Sequence, residues 1–155
     1  VCFHLIGTGY EFNKMQKLVE KLNLKNIHFE GWVDYNELPK KIAQFDICLG
    51  IFGDTIKANL VIPNKIYHYA AMGKPIITMN SPAIKEIFTE NKNIRLVENN
   101  GKELANSILE LAENQEKQNE LGENARELAE IEFSEDKIAE KLVAIIKKFQ
   151  TKKGI

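Results

Sequence analysis

The chain has 155 residues, room for one domain with a substantial core. Apolar residues make up 44 % and charged residues 28 %, with a formal net charge of −1, which excludes the basic excess typical of nucleic-acid binders. The longest strongly apolar run, residues 47–52, falls far short of the ~18 residues of a membrane-spanning helix and leaves only an amphipathic surface contact open.

Residues 1–7 read as a buried strand that stops at Gly7-Thr8-Gly9. A helix follows, with Phe12, Met15, Leu18, Val19 and Leu22 on one face and Asn23 and Asn26 at its exit. Residues 27–31 form a short second strand ending at Gly31. Asn36 is placed to cap the next helix, whose apolar positions are Leu38, Ile42 and Phe45. Residues 47–52 are apolar almost throughout, the pattern of a central parallel strand covered on both faces.

Residues 53–62 show no periodicity and read as a loop. Pro63 suits the first turn of a helix that closes at Gly73. Residues 75–79 are the fourth strand, residues 81–88 a helical turn capped by Ser81, and residues 93–97 the fifth strand. Three helices complete the chain, marked by Leu104, Ile108, Leu111 and Ala112, by Leu121, Ala125, Leu128 and Ala129, and by Ile138, Leu142, Ile145, Ile146 and Phe149 behind Ser134. Strands alternating with helices predict an α/β fold, a Rossmann-like doubly wound parallel sheet flanked by helices. The organisation expected is one domain over residues 1–150 and a disordered, fraying tail over 151–155.

Cys2 and Cys48 both lie in apolar, strand-like runs and read as buried reduced thiols of a cytosolic protein; their spacing does not suit zinc, and a disulfide is not required. His4 and His28 read as structural or surface histidines. Neither a catalytic triad nor a metal-ligand cluster is visible, so no metal and no cofactor is expected, and the catalytic residues stay unassigned.

Ligands of open parallel sheets bind at the carboxyl ends of the strands, which directs attention to the loops there. Gly7-Thr8-Gly9 begins like a dinucleotide fingerprint, but Tyr10, Glu11 and Phe12 follow without the third glycine. It is either a plain turn or a turn that lets backbone approach a ligand. Trp32, between Gly31 and Val33, either caps the core or walls a flat ring such as a nucleobase. Asn64 and Lys65 open the Pro63 helix, and a helix start beside a lysine favours phosphate; the alternative is an ordinary helix with a surface lysine. His68 lies one turn further on. Ile66, Tyr69, Ala70 and Gly73 share the inward stripe, which assigns Lys65, His68 and Met72 to a neighbouring stripe beside the loop 53–62; His68 there either faces a ligand or is a core-edge histidine bonded to backbone.

Together these segments resemble the C-terminal domain of the retaining family 4 glycosyltransferases, which have the GT-B fold. The resemblance rests on residues 4–11, 22–52, 62–88, 100–114 and 133–143 in that order, and covers nearly the whole chain. It implies that Gly7 and Gly9 border a donor pocket, that the loop of Gly31, Trp32 and Val33 holds the nucleobase, and that the backbone around Leu60 to Asn64, with Lys65 and His68, faces sugar and diphosphate. It implies a nucleotide-diphosphate sugar as partner, a glycan or lipid-linked acceptor such as a cell-envelope polysaccharide, and no bound metal. It also implies a cytoplasmic protein, at the inner face of the membrane where the full-length protein makes peripheral contact.

Two departures accompany the resemblance. The family's paired signature glutamates fall at Leu60 and His68, so ribose recognition by a carboxylate is lost. The family domain also opens with a further strand–helix unit, carrying the Arg and Lys that clamp the diphosphate, and is preceded by an acceptor-binding N-terminal domain. The chain therefore reads as an excised piece of a longer protein, inactive alone and weak in nucleotide binding. A non-catalytic glycosyltransferase-like scaffold is the competing reading, and a GT-B sugar-nucleotide epimerase a third.

Overall fold

A computed structural model describes residues 1–153, with side chains described to residue 150. The chain divides into two compact units, residues 1–44 and the remainder from Phe45 onward.

In the first unit, β1 (Phe3–Ile6) runs parallel to β2 (Ile27–Gly31), with α1 (Phe12–Lys21) as the crossover between them. The helix ends at Asn23, whose φ of 50° is the left-handed turn. The N–H of Leu24 then reaches back to the carbonyl of Val19 at 3.0 Å, and that of Asn23 to Glu20. This is the Schellman arrangement, with asparagine in place of glycine. A 3-10 turn (Tyr35–Glu37) leads into α2 (Leu38–Ala43). The cap is Asp34, whose carboxylate accepts from the Asn36 N–H at 2.9 Å, and not Asn36 as the spacing predicted.

The first unit buries little. Ile42 is its single buried hydrophobic residue among those described. Met15, Leu18 and Leu22 of the shared apolar face are exposed, while Phe12 packs edge-on against Phe29 at 5.2 Å. Cys2, expected buried, is also exposed, because it precedes the first paired residue of β1.

A polar network supplements that thin core. The Glu30 carboxylate accepts from Lys41 Nζ at 2.7 Å and pairs with His4 Nδ1 at 2.7 Å, and the His4 ring stacks on His28 at 4.9 Å. The bonds from Lys41 and His4 hold the Glu30 carboxyl down at about 2, against its ordinary 4.5. A depressed folded pKa contributes stability that is fully present above about pH 4.5 and is lost as pH falls toward 2. Acid titration followed by Trp32 fluorescence is expected to show the first unit loosening in that window. Glu30→Gln should lower stability at neutral pH and flatten the acid dependence; an unchanged acid transition in Glu30→Gln would remove this role.

The second unit holds a three-stranded parallel sheet in the order β3 (Cys48–Leu49), β4 (Ile76–Met79), β5 (Arg95–Val97). The third strand is shorter than the apolar run 47–52 predicted. Past Leu49 backbone bonds still run from the Gly50 N–H to the Ile77 carbonyl and from the Met79 N–H to the Ile51 carbonyl, and the Thr78 hydroxyl adds to them, accepting from the Ile51 N–H at 3.0 Å and donating to the Ile51 carbonyl at 3.1 Å. Between β3 and β4 lie α3 (Ile56–Leu60) and α4 (Asn64–Ala71). The first falls where a loop was expected. Thr55 caps it, accepting from the Ala58 N–H at 3.1 Å, and one buried residue, Ala58, is too little to leave a periodic trace.

The short α5 (Pro82–Lys85) is capped by Ser81 as expected, and α6 (Gly101–Ala112), α7 (Gln115–Glu132) and α8 (Glu135–Lys153) follow. The core gathers Ile66, Ala70, Ile76, Ile84, Phe88, Ile94, Ala125 and Ala129. Each large side chain so buried contributes roughly 1.5–3 kcal/mol. In α8 the expected core row is exposed instead, with Ile138, Leu142, Ile145, Ile146 and Phe149 all open to solvent. The helix also runs through residues 151–153 of the stretch expected to fray; residues 154–155 lie outside the described residues. Among the described residues no helix is long and apolar enough to cross a membrane.

Candidate functional site

The candidate residues fall into two groups. Gly7, Gly9, Gly31, Trp32 and Val33 belong to the first unit; Asn64, Lys65 and His68 belong to the second.

In the first unit, β1 and β2 end in glycines with φ of 111° (Gly7) and 69° (Gly31). A side chain would resist both conformations. The Gly7 N–H donates to the Gly31 carbonyl at 2.6 Å, which ties the two strand-end loops together. A Cβ built on Gly7, Gly9 or Gly31 meets no atom within 4 Å, so the backbone here borders open space. The Gly9 carbonyl accepts from the Phe12 N–H at 3.0 Å, making a tight turn with Tyr10 at its tip. Trp32 is 80 % exposed and Val33 half-buried, so Trp32 does not cap the core.

In the second unit, α4 follows β3 and α3 and leads into β4. Pro63 occupies its N-cap position, one residue earlier than a first-turn proline, and provides no side-chain cap. The Ile66 N–H bonds to the Pro63 carbonyl at 2.9 Å, and no side-chain cap covers the rest of this positive helix end. Asn64 and Lys65 reach solvent, although surrounding protein desolvates the Lys65 ammonium and lowers its pKa. Ile66 and Ala70 are fully buried, Tyr69 packs on the core, and His68 is half-buried. The helix closes on Gly73 at φ 64°, with Lys74 N–H bonded to the Tyr69 carbonyl and Gly73 N–H to Ala70, both at 2.9 Å.

Cys48 lies close to this helix but is chemically quiet: burial pushes its thiol up to about 12, only partly offset by Lys74 and Lys65. Leu60 is 67 % exposed. No three His, Cys, Asp or Glu side chains stand together to hold a metal among the described residues. Tyr10, Asp54 and Asn99 lie in strand-end loops that the sequence singled out, without a role of their own there. Asn99 donates to the Asp54 carboxylate, joining the loops after β5 and β3. The signal for all three was their place just after a strand.

A family model described as "Glycosyl transferase-like" matches residues 1–144. Spore coat protein SA of Bacillus subtilis (strain 168) is 36 % identical over 85 residues, which make up 52 % of this chain and 22 % of that protein. A mutant of S. aureus TarM, solved in complex with Fondaparinux, alpha-GlcNAc-glycerol and UDP, matches with a TM-score of 0.79 at 24 % identity, covering 93 % of this chain and 28 % of that one. HepE of Anabaena, in complex with UDP-glucose, matches with a TM-score of 0.76 at 22 % identity, covering 93 % and 41 %. The chain thus spans less than half the length of each of these three proteins.

Proposed function

The chain belongs to the glycosyl transferase-like family and has the α/β fold of GT-B C-terminal domains, and from that membership we propose that it binds the nucleotide-diphosphate sugar in an enzyme that passes the sugar to a glycan or lipid-linked acceptor. The observation that carries this reading is the pair of glycine turns locked by the Gly7–Gly31 bond, bordering open space beside the exposed Trp32. That arrangement suits a flat base read by backbone groups. In the second unit, and taken by itself, the start of α4 with Lys65 suits an anionic group. HepE, a neighbour of the same fold, was solved with UDP-glucose, which supports a nucleotide sugar as ligand.

The acceptor we assign to a further domain of a longer protein. The exposed apolar rows of α1 and α8 are surfaces for such a domain to cover. Two free thiols fit a reducing cytoplasm, and a lipid-linked acceptor would place the work at the inner face of the membrane.

Trp32 is the chain's one tryptophan and provides the measurement. Titration of the 155-residue chain with UDP, GDP and ADP is expected to change its fluorescence, with a dissociation constant of roughly 0.1–1 mM. Micromolar affinity would mean that the main anchors lie elsewhere. For the full-length protein the decisive result is donor-dependent glycosyl transfer. A full-length protein that binds nucleotide sugars without transferring them would favour the scaffold reading, which rests on Leu60 and His68 standing where the signature glutamates are expected.

A further inference from the structure

Aromatic side chains are costly to leave in water, since burying one is worth more than burying most other residues. Among the described residues four remain largely exposed: Tyr10 at 101 %, Trp32 at 80 %, Tyr35 at 70 % and Phe149 at 63 %. Three of the four lie in or just beyond the loops after β1 and β2 of one small sheet. Tyr10 is the extreme case. It stands at the tip of the turn closed by the Gly9 carbonyl and the Phe12 N–H, at the entry to α1. Neither the fold nor the reading above uses it.

The two loops do not move independently. The Gly7–Gly31 hydrogen bond joins them three residues before Tyr10 and one residue before Trp32. In the same two loops Gly7, Gly9 and Gly31 present bare backbone to open space. Hydrogen-bonding backbone flanked by exposed rings is the chemistry that receives a planar heteroaromatic group, stacking on its faces while backbone reads its edge.

We propose that Tyr10 is a positioning residue for the nucleobase, stacking on it from the β1 loop as Trp32 does from the β2 loop. This rests on the donor-binding reading and adds to it a residue that the glycine turns alone do not imply. Stacking needs the ring and not the hydroxyl, so Tyr10→Phe keeps it and Tyr10→Ala removes it. A fully exposed side chain can be exchanged without loss of fold, which circular dichroism will verify.

The test follows Trp32 fluorescence while UDP, GDP, ADP and inorganic pyrophosphate are titrated into the chain and its variants. Tyr10→Ala is expected to weaken the nucleotides about fivefold or more and pyrophosphate not at all, while Tyr10→Phe binds like the parent. Unchanged nucleotide affinity in a folded Tyr10→Ala overturns the role of Tyr10 and leaves the donor-binding reading standing. Equal weakening of nucleotides and pyrophosphate overturns the stacking. If neither fluorescence nor amide NMR shifts register any nucleotide with the unaltered chain, the donor-binding reading falls, and Tyr10 with it.

Discussion

Gly122→Ala is expected to lower the melting temperature by several degrees, against the direction that helix propensity predicts. Gly122 lies in the middle of α7, where exchanging glycine for alanine ordinarily gains about 1 kcal/mol. Here a Cβ would stand 2.2 Å from the Gly73 carbonyl oxygen and 3.1 Å from its carbon. Both are backbone atoms, and Gly73 is held by its left-handed φ of 64° and the paired bonds that close α4. Neither partner can step aside, so α7 must lift off the end of α4. Its neighbours Leu121 and Ala125 are buried at 1 % and 0 % and would lose contact with it. Overpacking of this kind costs ~1–3 kcal/mol, and at this chain length each kcal/mol moves the midpoint by roughly 2–4 °C. Because the clash is with backbone, the cost lies at the upper end of that range, and after the propensity gain of about 1 kcal/mol a net loss of about 2 kcal/mol, or roughly 4–8 °C by calorimetry, is the expected result. Gly101→Ala is the control, because nothing lies within 4 Å of its Cβ, and it should leave the midpoint unchanged or slightly higher. A stabilised Gly122→Ala would mean that α4 and α7 do not meet this closely.

Why this contact went unread in the sequence illustrates what was legible there. Periodicity located the strands and the major helices, because apolar spacing reports a buried face. It reported a face equally well where no cover exists. Met15, Leu18 and Leu22 of α1 and the row of α8 have core spacing and stand exposed. Spacing says which residues share a face, not whether anything covers it. Elements built on side-chain-to-backbone bonds were read unevenly: Ser81 was found as a cap, while Thr55 and Asp34 were not. A single cap residue carries little signal without an apolar row behind it.

The site divides along the same line. Gly7, Gly9 and Gly31 were visible because glycine at a strand end is informative in itself. The hydrogen bond that couples Gly7 to Gly31 was not, since it joins residues 24 positions apart, 7 and 31. Gly50 was passed over entirely. A Cβ there would meet Thr78 Oγ1 at 2.3 Å and Ile66 Cδ1 at 2.7 Å, so this glycine is what admits both the Thr78 bonds to Ile51 and the seating of α4. Ile66, seated against Gly50, fixes the rotation of α4, and with it the direction in which His68 points.

His68 is where the largest change in ligand binding is expected. With Ile66 and Ala70 fully buried, a period of 3.6 residues sets His68 on the opposite side of α4, near Lys65 and Met72. In the family resemblance this position belongs to the glutamate that holds the donor ribose. An imidazole offers the sugar one hydrogen bond at a time on its facing nitrogen, whereas a carboxylate accepts from two hydroxyls and does so with charge. His68→Ala in the full-length protein should therefore weaken nucleotide-sugar binding about three- to tenfold, the worth of one ordinary hydrogen bond. His68→Glu should tighten it by roughly tenfold, the margin of a charged acceptor over a neutral one. If the imidazole serves the ligand and not the fold, both variants melt within about 2 °C of the parent. Calorimetric titration with the nucleotide sugar and with its 2′-deoxy analogue separates ribose contact from any other. The gain in His68→Glu must vanish with the deoxy sugar if a vicinal diol is what the carboxylate holds. A His68→Ala protein that melts several degrees lower yet binds as before would assign the imidazole to the scaffold of α4, and the donor ribose would have to be held elsewhere.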